Sequence, residues 1–153
     1  ISLTEETYRR LLVDLCLSMR ANGFRHIVLI GDSGGNQDGM KAVAAELNAK
    51  WDTSKSKVHF IPEYYNYGAV VEWLKTQGIR EEFEGIHDEF TISALMMAVD
   101  ADSVRMKQRI AADKFRINGI DLAPVEKTVA WGNRIIEFRA DAAVKAIRAS
   151  IGQ

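Results

Sequence analysis

The sequence predicts an α/β fold with a mainly parallel sheet, and three observations support this prediction. Segments with helical spacing alternate with short apolar runs, which is typical of βαβ units. The clearest run, residues 26–30, has no polar alternation, as expected for a strand that helices cover on both faces. A glycine-rich loop at residues 31–36 follows, and then a helical pattern, so that strand, loop and helix form half of a βαβ unit.

The first helix is predicted from a capping box and an apolar stripe. Ser2 stands three residues before Glu5, a pattern in which two side chains satisfy the free N–H groups of a helix N-terminus. Gly23 suits the left-handed conformation that ends many helices. The stripe between these signals comprises Tyr8, Leu11, Leu12, Leu15 and Met19.

The remainder of the chain contains a second strand, a turn and further helices. Residues 57–61 form a short strand that Pro62 stops. Asn118-Gly119 is a turn signal between two short extended pieces. Pro124 fits the first turn of a long C-terminal helix. The other predicted helices lie around residues 40–47, 70–75, 92–99 and 104–110.

Length and composition predict one globular domain over residues 1–153. Hydrophobic residues make up 47% and charged residues 27%, which excludes disordered, collagen-like and disulfide-scaffold proteins. The net charge of −1 provides no basic surplus for nucleic acid or for an anionic membrane surface. No apolar run approaches the roughly 20 residues that span a bilayer. The single cysteine, Cys16, lies in a helical pattern and is interpreted as a small buried hydrophobe, with a reactive thiol as the alternative.

The sheet is short of strands, because only two are clear in the sequence. A doubly wound parallel sheet needs several strands between its helical layers. The chain also begins at Ile1 rather than at a methionine. We therefore expect it to be part of a larger unit, with the missing strands supplied by upstream sequence or by another polypeptide.

The first group of candidate functional residues follows the first strand. In open α/β sheets ligands bind at the carboxyl ends of strands, where Asp32, Ser33 and Asn36 are placed. Asp32 can supply an oxygen ligand or a base, and Ser33 and Asn36 can donate hydrogen bonds. A phosphate cradle and a nucleophilic serine are weaker alternatives, because neither motif is complete. A third alternative is that Asp32 and Asn36 only cap the following helix.

The second group is His87-Asp88-Glu89, which stands just before another predicted helix. Three titratable side chains in a row can hold a metal or carry acid–base steps. The alternative is again a helix cap, since the positive end of the helix dipole favours carboxylates.

Taken together, these segments resemble the creatininase (creatinine amidohydrolase) family. The similarity involves residues 1–7, 23–30 and 34–36, the last corresponding to the end of that family's Asn-Gly-His-Gly-Gly-Asn motif. Residues 87–97 are similar to its His-Ala-Gly-x-x-Glu-Thr-Ser stretch, and residues 104–106 and the long final helix also resemble the family. The resemblance implies a three-layer α/β fold and often a hexamer. It also implies that this chain is the second half of the unit, completed by an N-terminal partner chain or segment, because the metal-binding Thr-Glu-Gln-His-Gly-like segment has no counterpart here.

The resemblance implies a divalent metal (Zn, Mn or Fe), although both metal motifs depart from the family pattern. Ser33 stands where the family has a metal-binding His, and Asp32 precedes it by one residue. Thr91 stands where the family has the Glu of its Glu-Thr-Ser stretch, and Glu89 lies two residues earlier. Asp32, Glu89 and Ser33 are accordingly the expected metal ligands. A carboxylate in place of an imidazole would favour a harder ion than zinc.

The resemblance thus predicts a metal-dependent hydrolase that cleaves the C–N bond of a cyclic or linear amide, or a related lactone, with metal-activated water. His87, Asp88 and Asn36 are the expected catalytic residues, with His87 as an acid–base group or a further ligand. The alternative is a non-catalytic binding or assembly subunit that kept the fold and lost the metal site. Neither hypothesis includes a nucleic acid or a membrane as a partner.

Overall fold

The structure, a computed structural model, describes residues 2–82 and 89–153. Helices, including two 3-10 turns (Pro62–Tyr65 and Ala101–Val104), account for 65% of these residues. The other elements are α1 (Glu5–Ala21), β1 (His26–Leu29), α2 (Gly34–Lys50), β2 (Lys57–Phe60), α3 (Tyr67–Thr76), α4 (Phe90–Val99), α5 (Met106–Ala111), β3 (Arg116–Ile117), β4 (Ile120–Asp121) and α6 (Val125–Ile151).

The prediction of a mixed α/β fold with a parallel sheet is confirmed at that level. β1 and β2 pair in parallel, with Ile27 opposite Val58 and Val28 opposite His59. β3 and β4 form a short antiparallel pair. The three-layer arrangement and the completion of the sheet by an N-terminal portion stay predictions.

The chain divides into two compact units. Unit 1 comprises Ile1–Tyr65 and Ala142–Gln153, and unit 2 comprises Asn66–Asp141. α6 therefore supplies its first part to unit 2 and its last turns to unit 1. The single domain over residues 1–153 stays a prediction.

In unit 1, α1 and α2 bury one face of the two-stranded sheet. Ile27 of β1 and Val58 of β2 are each 1% exposed. The side chain of Asn48 on α2 donates to the carbonyl of Val58 at 2.7 Å and accepts from its N–H at 2.9 Å. One amide side chain thereby pairs backbone groups of β2 that β1 does not use. The helical residues packed in this core are Cys16, Val43, Ala44 and Leu47, together with Trp51.

Helix α1 differs from its prediction at its start and on its buried face. Thr4, not Ser2, is the N-cap, and its hydroxyl accepts from the Thr7 N–H at 3.2 Å. Cys16 is buried as predicted, at 1% exposure. The predicted stripe is wrong in part, because Leu11 and Leu15 are about half exposed. The face that packs inward carries Leu12, Val13 and Cys16.

Unit 2 has its own apolar core between α3, α4, the β3–β4 hairpin and the first part of α6. Asn118 and Gly119 form the hairpin turn with positive φ angles of 49° and 78°, which confirms the predicted turn. The buried residues of this core include Val70, Leu74, Phe90, Ala94, Met97, Leu122 and Ile135. Among the described residues, none of the helices combines the length and apolar character that a membrane crossing requires.

Candidate functional site

The loop after β1 is held by a side chain from the first turns of α2. The amide nitrogen of Gln37 donates to the carbonyl oxygens of Gly31 at 3.0 Å and of Ser33 at 2.9 Å. The Asn36 N–H also donates to the Ser33 carbonyl, at 3.1 Å. These bonds fix the backbone on both sides of Asp32, at the carboxyl end of β1 where the sequence predicted a site.

Two glycines of this loop lie close to side chains of unit 1. A Cβ on Gly31 would lie 2.9 Å from the methyl carbon of Met40. A Cβ on Gly34 would lie 2.9 Å from the phenol oxygen of Tyr65. Gly34 therefore lets Tyr65 approach the backbone at the start of α2. Tyr65 lies far along the chain from Gly34, so no local motif could have linked it to this loop.

Asp32, Ser33 and Asn36 stand at the N-terminus of α2. Asp32 and Ser33 are exposed, and Asn36 is partly buried. Ser33 is the N-cap residue, and its side chain makes no capping hydrogen bond. The first turn of α2 contains no acidic residue. The positive end of the helix dipole at this place favours a carboxylate or another anion.

The second candidate group falls partly outside the described residues. His87 and Asp88 lie in the segment that the structure does not describe. Glu89 is described, partly buried, and is the N-cap residue of α4. Its side chain makes no capping hydrogen bond. The prediction that these residues act in catalysis or metal binding stays a prediction.

A residue that sequence reasoning did not identify caps α4 instead. The Phe90 N–H donates to a carboxylate oxygen of Glu81 at 2.8 Å, and the Thr91 hydroxyl donates to the other oxygen at 3.4 Å. The side-chain amide of Asn118 donates to the Glu81 carboxylate at 3.1 Å. Glu81 lies nine residues before Phe90 and 37 before Asn118, so no local motif could have indicated it.

A second polar group missed by sequence reasoning joins two histidines to the C-terminal helix in unit 1. His59 is 2% exposed, and its Nε2 lies 3.1 Å from Nδ1 of His26. Its other ring nitrogen is hydrogen-bonded to the hydroxyl of Ser150. Burial, and then the nearby charges of Lys57 and His26, lower the pKa of His59. The two histidines are 33 residues apart and Ser150 is 91 residues from His59, so no local motif could have indicated this connection.

The described residues contain no cluster of three or more His, Cys, Asp or Glu side chains placed to hold a metal. Asp32 belongs to unit 1 and Glu89 to unit 2. Oxygen donors predominate in both candidate groups, through the two carboxylates and the Ser33 hydroxyl. Such donors suit hard divalent ions better than soft ones.

Comparison with known proteins identifies one family. The family model for creatininase, described as creatinine amidohydrolase, matches residues 1–147. Searches of curated proteins and of solved structures found no match. The match covers nearly the whole chain and agrees with the motif resemblance at residues 34–36 and 87–97. The chain belongs to the creatininase family.

Proposed function

We propose that this protein is a metal-dependent amidohydrolase that cleaves the C–N bond of a cyclic or linear amide, or a related lactone. The observation that carries this proposal is the family match over residues 1–147. Members of that family generally use a divalent metal. Family membership also suggests a small-molecule amide as the class of substrate.

Asp32, Glu89 and Ser33 are the proposed metal ligands, each on its own evidence. Asp32 stands on a loop that Gln37 fixes at the carboxyl end of β1. Ser33 and Glu89 are N-cap residues, but their side-chain oxygens accept no capping hydrogen bond from the helices that follow. These hard oxygen donors fit Mn²⁺ or Fe²⁺ better than Zn²⁺. When bound, such an ion would polarise the carbonyl and lower the pKa of a water.

The other proposed roles fall on side chains that can donate hydrogen bonds or move protons. The Asn36 amide would orient the loop or the substrate carbonyl, since its backbone is already bonded to Ser33. His87 and Asp88, outside the described residues, are proposed as the acid–base groups. An imidazole at that place would accept a proton from the attacking water and return it to the leaving nitrogen.

A second candidate function is a non-catalytic binding or assembly subunit. It is favoured by Ser33, because this serine takes the place of the family's metal-binding His and a neutral hydroxyl is a poor ligand. Such a subunit would keep the helices and the parallel strands and need no metal. Two further predictions concern assembly. The resemblance implies a homo-oligomer, often a hexamer, and an N-terminal partner chain or segment. The intact mass of the native assembly tests both.

Metal removal separates the two functions. The purified native protein is assayed against a panel of cyclic amides, linear amides and lactones before and after chelation, and again after Mn²⁺, Zn²⁺ or Fe²⁺ is added back. We expect hydrolysis of at least one amide or lactone, its loss on chelation and its recovery with one of the ions. Full activity in the metal-free protein would contradict the proposed mechanism, and inactivity of every form would favour the binding subunit.

A further inference from the structure

A buried histidine in unit 1 connects a serine of the C-terminal helix with a second histidine. His59, on β2, is 2% exposed. Its Nδ1 is hydrogen-bonded to the hydroxyl of Ser150 in the last turn of α6, and its Nε2 lies 3.1 Å from Nδ1 of His26. Enzymes activate a nucleophilic serine with this arrangement, in which an imidazole contacts the hydroxyl and a third group orients the imidazole. These three residues belong to neither group of candidate residues named from the sequence.

The hydrogen bonds of this cluster suit a proton acceptor that faces the serine. A neutral imidazole carries one proton. When this proton is on Nε2 of His59, the ring donates it to His26, and Nδ1 is left to accept from the Ser150 hydroxyl. Burial is the largest cause that lowers the pKa of His59, followed by the charges of Lys57 and His26. The ring is therefore neutral near pH 7 and able to take up the serine proton.

A positive charge lies close to the same cluster. Lys57 stands two residues before His59 on β2, so both side chains lie on one face of the sheet. Its charge acts on the pKa of His59, so the ammonium is within electrostatic range of the ring. Such a charge favours the negative oxygen that develops when a hydroxyl attacks a carbonyl. His26 is exposed and Ser150 is only partly buried, so a small reagent can reach the hydroxyl.

We propose that Ser150 is a nucleophile that takes an acyl group from a small activated ester, with His59 as its base and His26 as a positioning residue. The Ser150 Oγ bonds to the carbonyl carbon while the bond from that carbon to the leaving oxygen breaks. The serine proton passes through Nδ1 of His59 to the leaving oxygen. Water then releases the acid by the same route and restores the hydroxyl. This sequence of steps uses no metal, so the inference goes beyond the proposed function and does not rest on it.

The test is covalent labelling of the purified native protein with a fluorophosphonate, after chelation of metals. The Oγ of an activated serine bonds to the phosphorus of this reagent and displaces fluoride. We expect a single adduct per chain, located at Ser150 by peptide mass spectrometry, and no adduct in Ser150→Ala. Ser18→Ala is the matched control, because Ser18 is an exposed serine of α1, and it should be labelled at the wild-type rate. The proteins that are labelled should also hydrolyse p-nitrophenyl acetate.

Two further variants test the roles of the histidines. His59→Gln should lower the maximal labelling rate about 100-fold, a usual contribution of a general base. His26→Gln should lower this rate less and leave unchanged the reagent concentration that gives half of it, because the base is present but poorly oriented. Circular dichroism shows whether each variant is folded. If His59→Gln does not fold, His26→Gln decides, since its position is exposed.

Three results would overturn the inference: an unlabelled wild type, wild-type labelling of Ser150→Ala, or wild-type rates in the folded histidine variants. In each case the cluster would only hold the end of α6 against the sheet. Metal-dependent hydrolysis of amides is measured before chelation, so its loss or presence is distinguishable from the outcome at Ser150.

Discussion

His59 is a deeply buried titratable residue of unit 1 whose pKa is perturbed. Its imidazole is 2% exposed and connects His26 on β1 with Ser150 on α6. Burial is the largest cause that lowers its pKa, followed by the charges of Lys57 and His26. The folded protein therefore disfavours the protonated imidazole relative to the unfolded chain, in which histidine has a pKa near 6.5.

This perturbation predicts how stability depends on pH. Above pH 6.5 both states hold His59 neutral and it adds no pH dependence. As the pH falls below 6.5, the unfolded chain takes up the proton first, so the free energy of unfolding decreases until the folded pKa is passed. The slope from this one group reaches at most about 1.4 kcal/mol per pH unit.

The measurement is chemical unfolding between pH 7.5 and pH 5 for the wild type and His59→Gln. The variant should be less stable at pH 7.5, because it replaces a buried, hydrogen-bonded imidazole. It should lose less stability on acidification, because glutamine does not titrate. Parallel stability curves for the two proteins would show that His59 is not the group responsible.

The sequence indicated candidate functional residues, but it did not indicate the residues whose hydrogen bonds hold the nearby backbone. Asp32 was placed at the end of a strand because a buried apolar run and a glycine-rich loop are both local patterns. Gln37, which bonds the carbonyls of Gly31 and Ser33, could be found only from the loop's three-dimensional path. Glu81 was missed for the same reason, since its partner Asn118 is 37 residues away.

Among the elements, α4 and α6 cross most closely at Gly132 in unit 2. A Cβ on Gly132 would overlap the carbonyl oxygen of Ala94 and lie 2.7 Å from the Cβ of Ala98. The first of these neighbours is backbone, so the contact cannot be relieved by a change of rotamer. Only glycine allows the two helix backbones to approach this closely.

Gly132→Ala is accordingly expected to destabilise the protein by about 1–3 kcal/mol, the usual cost of overpacking a core. Gly68→Ala is the matched control, because its Cβ would lie 3.7 Å from the Asn66 side chain, an ordinary contact. Alanine also favours helix over glycine, so this control in α3 should be neutral or slightly stabilising. Urea unfolding compares the two, and equal midpoints would contradict the close crossing.

The elements also show where periodicity misleads. Leu11, Leu15 and Met19 recur at helical spacing in α1, yet all three are exposed. Leu12 and Cys16 recur at the same spacing on the neighbouring face, and this is the face that packs against the sheet. Spacing identifies a helix, but the choice between two apolar faces depends on tertiary packing that a local pattern does not contain.

For the whole molecule, the alternation of helical and apolar segments was sufficient to predict the α/β class. The shortage of strands was also apparent, and the described residues contain one parallel pair, β1 with β2. The division into two compact units was not predicted, because no proline-rich or polar linker marks the boundaries near residues 65 and 141. α6 is continuous across the second boundary, so the composition of the sequence does not change there and gives no sign of the boundary.

The family assignment rests on a match over residues 1–147. The proposed metal chemistry depends on a few positions at which this sequence departs from the family motifs. The motif resemblance puts Ser33 at the position of the family's metal-binding His and Thr91 at that of its Glu. Asp32 and Glu89 stand one and two residues before them. The central claim is therefore that carboxylates have taken over the metal site. Asp32 is its sharpest representative, because its loop is fixed by described hydrogen bonds.

The most direct test is elemental analysis of the purified native protein by mass spectrometry, for the wild type, Asp32→Ala and Asp38→Ala. Asp38 is an exposed aspartate on α2, so its variant controls for the loss of one negative charge near the loop. We expect about one or two Mn, Fe or Zn ions per chain in the wild type and in Asp38→Ala. In Asp32→Ala we expect metal loss from a protein that is still folded. Equal metal content in all three proteins, or none in the wild type, would contradict the claim.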